Sequence, residues 1–262
     1  KIQRKHASFT QNKVQLNMAN TSRTLVIGDI HGGLKALKQI FERAEVTTND
    51  ELIFLGDYVD GWSDSAEVIN FLIQLKADYN CRFIRGNHDA LVNNWLKTGE
   101  ANEKWMQHGG QSTKDAYQEI DQRIKEMHIQ FMDNLENYIV NQDNKLFLHA
   151  GFANLHGPDY EWYKHVVYWD RTLWEMVICM DSKLSKNDDL YPARLKLFNE
   201  IYIGHTPTTR IGMDQPANFQ NVWNIDTGAA FKGALSIMDV ESKEVWQSDP
   251  VYQLYPNEKG RN

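Results

Sequence analysis

Cysteine is nearly absent from this sequence. The 262 residues include two cysteines, Cys81 and Cys179, which are too few for a cysteine-ligated zinc module. A chain of this length can bury most of its unfolded surface and needs no disulfide framework. Scarce cysteine favours a reducing compartment, and we therefore expect a cytoplasmic protein. A single disulfide between the two residues stays open.

Long apolar runs are also missing. No stretch of 18 or more apolar residues occurs, so the sequence predicts neither a membrane span nor a membrane partner. Proline and glycine number 6 and 16, beside 42% hydrophobic and 24% charged residues. These values exclude collagen-like and disordered classes and are typical of a globular chain with one large domain or two small ones.

Basic residues are outnumbered by acidic ones, 28 to 35. Residues 1–23 hold five of the bases and no acid, so the rest of the chain has 23 basic residues against 35 acidic ones. Nucleic acids are bound through clustered Lys and Arg, and we expect no stable nucleic-acid partner for such a body. We interpret residues 1–17 as vector-derived or flexible, and we predict a leader at 1–20 and one domain at 21–262.

Short apolar runs alternate with helical patterns in the first 90 residues. The runs at 24–27, 51–55 and 81–84 each end in a polar loop with glycine, and helical spacing follows at 34–44 and 65–75. This order predicts an α/β fold with parallel strands whose loops meet at one edge of the sheet. A helical insertion is expected at about 95–140, broken at Gly109 and Gly110, before strands at 145–148, 200–203, 222–225, 234–238 and 244–246.

Five predicted strands end in a loop that carries Asp, His or Asn close to glycine. The residues are Asp29, His31, Asp57, Asn87, His149 and His205. Taken alone, each is better explained as a turn former or a packed residue. Their joint occurrence favours a shared divalent-cation site, because carboxylate, imidazole and amide groups are its usual ligands. Asp29 and His31 can face one ion, and Asp57 can bridge two.

Five motifs resemble those of the calcineurin-like metallophosphoesterases. In chain order they are GDIHG at 28–32, GDYVDG at 56–61, RGNHD at 85–89, HAG at 149–151 and GHTP at 204–207. They are most similar to the bacterial and phage branch of phosphoprotein (serine/threonine) phosphatases, over about residues 24–235. The resemblance implies a four-layer α/β/β/α sandwich with two mixed sheets.

The resemblance also implies two metal ions. One would be held by Asp29, His31 and Asp57, and the other by Asp57, Asn87, His149 and His205. Two divalent ions beside two carboxylates give the site a net charge of about +2, which suits a phosphate dianion. A bridging hydroxide could then attack phosphorus directly, with no phosphoenzyme. We expect Mn²⁺ first, while Fe, Zn or Co would fit the same ligands.

Proton transfer and phosphate binding need further residues. His88 follows the expected ligand Asn87 and is predicted to protonate the leaving group as general acid, with Asp60 orienting it. Arg85 and Arg171 match arginines that bind phosphate in the resembling phosphatases, where a guanidinium can meet phosphate through two hydrogen bonds. The alternatives are a structural loop histidine, a turn carboxylate and surface arginines.

The chain departs from the family pattern at two positions. Gly61 stands where phosphoprotein phosphatases have arginine, and Asp89 stands where they have glutamate. Loss of the arginine removes one phosphate contact. Either another base substitutes, or the pocket suits a different phosphoester.

We therefore expect a dinuclear metal-dependent phosphatase that acts on phosphomonoesters, with phosphoserine or phosphothreonine, or else phosphotyrosine, of a protein partner as first substrate. A symmetrical diadenosine tetraphosphate hydrolase, or another enzyme acting on nucleotides or small phosphoesters, is the main alternative. A nuclease or cyclic phosphodiesterase is chemically open. A scaffold that has lost catalysis is disfavoured, because all the expected ligands and His88 are present.

Several residues outside the motifs have no clear assignment. We expect His108, His128, His156 and His165 to be structural or surface residues. The aromatic residues at 160–174 are expected to pack in the core rather than to form a substrate groove. The Asp226-Thr227-Gly228 segment is either a plain turn or part of the family pattern.

Overall fold

A computed structural model describes residues 22–261. The predicted leader at 1–20 lies outside the described residues. Among residues 22–261, no helix is long and apolar enough to cross a membrane. Cys81 and Cys179 are both free thiols, so the disulfide that the sequence left open is not formed.

Ten strands form two five-stranded mixed sheets. They are β1 (Thr24–Ile27), β2 (Glu51–Phe54), β3 (Asn80–Phe83), β4 (Tyr138–Val140), β5 (Lys145–Leu148), β6 (Glu200–Ile203), β7 (Ala217–Phe219), β8 (Val222–Asn224), β9 (Ser236–Asp239) and β10 (Val245–Gln247). The first sheet has the order β10-β9-β1-β2-β3, and the second has β4-β5-β6-β8-β7. The predicted parallel start is confirmed, since β1 pairs with β2 and β2 with β3 in parallel.

Eight α-helices are described. They are α1 (Leu34–Arg43), α2 (Ser65–Asp78), α3 (Asn87–Thr98), α4 (Glu103–Trp105), α5 (Gln111–Ala116), α6 (Gln122–Asp133), α7 (Thr172–Cys179) and α8 (Val251–Leu254). A π-helical turn, Met106–Gly110, joins α4 to α5, and Gly109 within it has a φ of 102°. The region predicted as a helical insertion thus contains α4, α5 and α6, with the break at the glycine pair, but its last residues form strand β4, which pairs with β5.

Three separate apolar cores explain the four layers. Side chains alternate along a strand, so neighbours face opposite sides of a sheet. In β1, Leu25 and Ile27 pack with the helices of the first sheet, whereas Val26 faces the second sheet. In β6, Tyr202 contributes to the same intersheet core and its neighbours pack under α7. Each central strand is therefore buried on both faces, which confirms the α/β/β/α sandwich.

The aromatic stretch at 160–174 is not a uniform core segment. Trp174 is buried as expected, but Tyr160, Trp162, Tyr163 and Trp169 are exposed, and Trp162 has 92% of its surface in contact with solvent. The prediction of core packing is therefore wrong for these four. The four residues lie in irregular loop and 3₁₀ structure between β5 and α7, where no helix or strand periodicity turns one face of the segment towards a core.

Candidate metal centre

The loops after five strands converge at one edge of the sandwich. Asp29, Asp57 and Asn87 follow β1, β2 and β3, while His149 and His205 follow β5 and β6 of the other sheet. Backbone hydrogen bonds fasten these loops: the amides of Ile30 and His31 both donate to the carbonyl oxygen of Asp57, at 3.0 and 2.9 Å. All six predicted ligands are buried.

Left-handed backbone is concentrated at this edge. His31, Asp57 and His205 have φ values of 51°, 52° and 68°, and Asp60 has 70°. Such conformations cost non-glycine residues about 1–3 kcal/mol each and persist where surrounding structure holds them, most often at functional sites. The strain turns these side chains inward at the strand ends.

Two glycines let carboxylates approach the backbone closely. A Cβ at Gly86 would lie 2.1 Å from Oδ1 of Asp57, and one at Gly204 would lie 2.1 Å from Oδ1 of Asp29. No side chain can occupy either space. The glycines of the RGNHD and GHTP motifs are therefore needed to place the carboxylates of the other motifs.

Two imidazoles are oriented by backbone carbonyl groups. Nδ1 of His31 lies 3.0 Å from the carbonyl oxygen of Asp60, and Nε2 of the same ring lies 3.6 Å from Oδ2 of Asp57. His149 repeats the arrangement, with Nδ1 2.9 Å from the carbonyl oxygen of Leu55 and Nε2 3.4 Å from Oδ2 of Asp57. A proton on Nδ1 leaves the Nε2 lone pair available to a metal ion. Asp57 lies between the two rings, as a bridging ligand would.

Asn87 and His205 complete the second group. Oδ1 of Asn87 is 3.1 Å from Nε2 of His149 and 2.9 Å from Nδ1 of His205. Nε2 of His205 is buried and has no hydrogen-bond partner within the described part of the chain. A buried imidazole nitrogen without a partner is costly unless a cation or ligand meets it. The donor set thus fits a divalent ion of borderline hardness.

Two clusters of possible ligand atoms share Asp57. His31, Asp57 and His88 form one, and Asp57, His149 and His205 form the other, with the atoms of each cluster within 4.8 Å of one another. Asp29 adjoins the first cluster, because its Oδ2 is 3.8 Å from Nε2 of His31. The structure therefore brings all six predicted ligands together.

The buried charges of the site favour a bound cation. Burial raises the pKa of Asp29 well above its usual range, and the neighbouring carboxylates of Asp226 and Asp57 add to the effect. Burial also raises the pKa of Asp57, but the imidazoles of His149 and His88 outweigh it and hold that pKa well below the usual range. Burial lowers the pKa of His205, which leaves its ring neutral and able to bind metal.

His88 and Asp60 form the predicted pair. Nδ1 of His88 lies 2.6 Å from Oδ2 of Asp60, and both side chains are buried. The amide of His88 also donates to Oδ1 of Asp57, at 2.9 Å. His88 lines a cavity together with the predicted ligands His31, Asp57, Asn87 and His205, and its Nε2 is the ring nitrogen that Asp60 does not engage.

Trp105 and Thr113 hold Asp60 from the helical region, a contact that the sequence did not predict. Nε1 of Trp105 donates to Oδ2 of Asp60 at 2.7 Å, and Oγ1 of Thr113 donates to Oδ1 at 2.6 Å. Neither residue belongs to a motif, and both are brought to Asp60 by tertiary packing.

Asp89, at the second departure from the family pattern, binds the motif loops together. Its carboxylate accepts hydrogen bonds from the amides of Gly86, Asp57 and Tyr58, at 2.8, 2.9 and 2.9 Å. Burial, together with the charge of Asp57, raises the pKa of Asp89 to about 7. The shorter acid is thus accommodated by three backbone donors.

The two predicted arginines lie in different places. Arg171 lines a cavity of about 520 Å³ that four of the predicted ligands also line, and its Nη1 donates to Oγ1 of Thr206 at 2.8 Å. Arg85 instead donates to the carbonyl oxygens of Asp133 and Leu135 at the end of α6, both at 3.3 Å. The structure does not bring the Arg85 guanidinium to the cavity, and its phosphate role stays a prediction.

The cavity contains further groups that sequence reasoning did not select. Three more cations line it, Lys104, Arg210 and Arg261. His108, expected to be structural or surface, also lines the cavity, whereas His128 is a structural residue bonded to Tyr117. Arg210 lies five residues after His205 and offered a weak signal, but nothing in the sequence marked Arg261.

Asp226 and Trp169 also line this cavity. The carboxylate of Asp226 is buried, and burial, with the charge of Asp57, raises its pKa to about 6. Its Oδ1 accepts a hydrogen bond from the amide of Gly228 at 2.9 Å, so the segment forms a turn and also lines the cavity. Trp169 places one aromatic ring of the 160–174 stretch at the cavity, as a substrate groove would require.

Comparison with known families agrees with this geometry. The family model of the calcineurin-like phosphoesterases matches residues 22–226, which is most of the chain. The chain belongs to the calcineurin-like phosphoesterase family. It is therefore a metal-dependent hydrolase of phosphoesters, as its motifs predicted.

Two kinds of curated relative match this phosphoesterase. An asymmetrical bis(5'-nucleosyl)-tetraphosphatase of Anoxybacillus flavithermus is 28% identical over 257 residues, covering 90% of this chain and 97% of the relative. The serine/threonine-protein phosphatase BSL2 of Arabidopsis thaliana is 35% identical over 100 residues, covering 32% of this chain and 10% of the relative. The first similarity spans the domain and the second spans part of it.

Solved structures share the fold. A crystal structure provisionally assigned as a diadenosine tetraphosphatase superposes with a TM-score of 0.59 at 20% identity, covering 87% of this chain and 93% of that one. The structure of a protein serine/threonine phosphatase from Saccharomyces cerevisiae superposes with a TM-score of 0.58 at 16% identity, covering 89% of this chain and 81% of that one. At these identities the likeness concerns the architecture alone.

Proposed function

We propose that this phosphoesterase works with two divalent ions that share Asp57. Asp29 and His31 would hold one ion with Asp57, and Asn87, His149 and His205 would hold the other. Mn²⁺ is the first candidate, and Fe, Zn or Co suit the same donors. When bound, two such ions act as Lewis acids and activate a water for in-line attack at phosphorus. The position of Asp57 between the two clusters is the observation that carries the proposal.

His88 supplies the proton that the leaving oxygen needs. With Nδ1 held by Asp60 at 2.6 Å, the ring can present a protonated Nε2 to the cavity. Asp60 sets the orientation of the ring and directs its other nitrogen away from the carboxylate, as a carboxylate partner does for a general acid. Arg171 lines the same cavity and is placed to bind a phosphoryl oxygen.

A nucleoside polyphosphate is the substrate class that the cavity suits best. Four cations, Lys104, Arg171, Arg210 and Arg261, line one volume of about 520 Å³, which is more positive charge than a single phosphate requires. Trp169 and Phe231 line it too and offer aromatic faces to a base. The similarity of the whole domain to asymmetrical tetraphosphatases supports this choice.

A phosphoprotein is the second candidate. Part of the chain, 100 residues, is 35% identical to a serine/threonine-protein phosphatase. The His88–Asp60 pair is also the pair that the resemblance to phosphoprotein phosphatases implies. The substrate would then be phosphoserine or phosphothreonine, or phosphotyrosine, and one phosphate would bind beside Arg171.

Turnover of diadenosine tetraphosphate and of a phosphoserine peptide, each with Mn²⁺, separates these candidates. Asymmetrical hydrolysis consumes one water and yields ATP and AMP, whereas symmetrical hydrolysis yields two ADP; chromatography resolves them. We expect faster turnover of the dinucleotide, with both activities lost in Asp57→Asn. Turnover of the peptide alone would reverse the order, and turnover of neither, in a folded protein with Mn²⁺ bound, would refute the proposed function.

A further inference from the structure

The backbone at Gly61 does not favour the arginine that the family has there. Gly61 has a φ of 121°, and a Cβ at this position would lie 3.2 Å from the carbonyl oxygen of His31. Side chains other than glycine rarely adopt such a φ. The same Cβ would lie 3.5 Å from Cγ of Arg261, so the space beside Gly61 contains an arginine from a distant part of the chain.

Arg261 is held in this position by two contacts and by the space that two glycines leave. Its amide donates to the carbonyl oxygen of Ala230 at 2.9 Å. Its guanidinium lies 5.3 Å from the ring centroid of Phe231, within the range of a cation–π contact. Its Cγ would also lie only 3.0 Å from a Cβ at Gly109, so the two glycines 61 and 109 leave the channel through which the side chain passes.

The guanidinium has hydrogen-bonding capacity to spare. Nε of Arg261 is buried and lacks a hydrogen-bond partner among residues 22–261. Within that same range, no carboxylate forms an ion pair with it. The side chain nevertheless lines the cavity together with His31, His88 and Arg171. A half-buried guanidinium without a hydrogen-bond or ion-pair partner is costly, and an anion in the cavity would relieve that cost.

We propose that Arg261 binds a phosphoryl oxygen of the substrate in place of the arginine missing at residue 61. The inference rests on the proposed phosphoesterase function. The guanidinium approaches the same cavity from the segment after α8, so a tail residue would do what a motif residue does in the resembling phosphatases. Arg171 and Arg261 would then contact phosphate oxygens from two sides of the cavity.

Arg261→Gln and Arg261→Lys test the proposal, with Lys232→Gln as matched control. Lys232 is exposed, follows Phe231 and does not line the cavity. The measurements are the inhibition constant of inorganic phosphate and the KM for p-nitrophenyl phosphate, with Mn²⁺ content and circular dichroism for each variant. A charge-assisted hydrogen bond is worth about tenfold to a hundredfold in binding. We expect Arg261→Gln to raise both constants by about tenfold or more, and Arg261→Lys by less.

Failure of the proposed role of Arg261 can be distinguished from failure of the proposed phosphoesterase function. A folded Arg261→Gln with Mn²⁺ content, phosphate inhibition and KM equal to those of Lys232→Gln would overturn the role of Arg261. If the wild type hydrolyses no phosphoester, the proposed function fails. Calorimetric binding of inorganic phosphate to the protein with Mn²⁺ bound still tests Arg261 in that case, and equal affinity in wild type and Arg261→Gln would reject it.

Discussion

Single side chains at the strand ends have conformations that the site imposes. His31, Asp57, Asp60 and His205 all have positive φ, although none is glycine. Each is fixed by hydrogen bonds or by a neighbouring glycine that cannot be enlarged. At the scale of the residue, strained backbone angles and close contacts between carboxylates and glycine backbone therefore hold the ligand side chains in place. The chemistry of the centre depends on a few nitrogen and oxygen atoms of these side chains.

Removal of the proposed general acid should have an effect that depends on the leaving group. In His88→Asn we expect turnover of phenyl phosphate to fall by about 10²–10⁴-fold. Turnover of p-nitrophenyl phosphate should fall far less, because p-nitrophenolate leaves without a proton. Steady-state kinetics on the two substrates, with metal analysis, make the comparison. An equal loss on both, together with loss of a metal ion, would instead make His88 a ligand, as its proximity to His31 and Asp57 also allows.

Metal affinity should weaken as the pH falls. Burial, with nearby carboxylates, raises the pKa of Asp29, and Asp57 raises that of His149 despite the opposing effect of burial. Both groups must lose a proton to bind metal, so protons compete increasingly below these raised pKa values. Calorimetric titration with Mn²⁺ between about pH 6 and about pH 8 should show proton release and tighter binding at the higher pH. Affinity independent of pH would contradict these pKa directions.

At the scale of the element, the helical region between α3 and α6 reaches into the site. α4 ends at Trp105 and α5 contains Thr113, and the kinked π-helical turn between them lets both side chains converge on Asp60. Ser65, at the start of α2, also accepts a hydrogen bond from the amide of Asp60, at 3.1 Å. The region thus positions the partner of His88 without entering any motif.

Trp105→Phe should lower kcat because it removes one hydrogen bond to Asp60 and keeps the aromatic ring. A hydrogen bond to a charged group contributes about 1.5–3 kcal/mol, so a loss of about tenfold in kcat is expected if most of it reaches His88. KM and Mn²⁺ content should change little. Trp95→Phe is the matched control, because it makes the same substitution in a neighbouring ring, whose centroid lies 5.5 Å from that of Trp105. Equal kinetics in the two variants would show that Trp105 only fills space.

At the scale of the whole molecule, the site exists only where the two sheets meet. Three of the predicted ligand loops come from the β1–β3 sheet and two from the β5–β6 sheet. The amide of His205 donates to Oδ2 of Asp29 at 3.1 Å, across that junction. Ions bound at the proposed site would therefore stabilise the packing of the two sheets as well as the loops.

Mn²⁺ should raise the melting temperature of the whole domain. At a free concentration of about 100 times Kd, one bound ion adds about 2.7 kcal/mol to the free energy of unfolding. For a domain of this size that corresponds to about 5–10 °C in Tm. Asp57→Asn, which removes the shared ligand with little change in volume, should lose most of the shift. Calorimetric scans of both proteins make the test, and equal shifts would show that Mn²⁺ binds elsewhere.

The sequence by itself determined the family, the layers and the six predicted ligands. Those features depend on side chains within a few residues of a strand end, where alternation and glycine spacing are readable from local order. The eight predicted strands lie within two residues of β1, β2, β3, β5, β6, β8, β9 and β10. The short strands β4 and β7 and the helices α7 and α8 were not predicted.

Only the tertiary structure decided which groups support the ligands. It placed Arg261 beside Gly61, Trp105 and Thr113 on Asp60, and Arg85 at the end of α6, away from the cavity. It also showed that Trp162 is exposed, although the aromatic stretch at 160–174 was expected to pack in the core. These contacts join residues far apart in the chain through packing and hydrogen bonds that leave no periodic trace in the sequence. A motif determines which ligand side chains lie at a strand end. Which residues contact those side chains depends on how the rest of the chain packs around them.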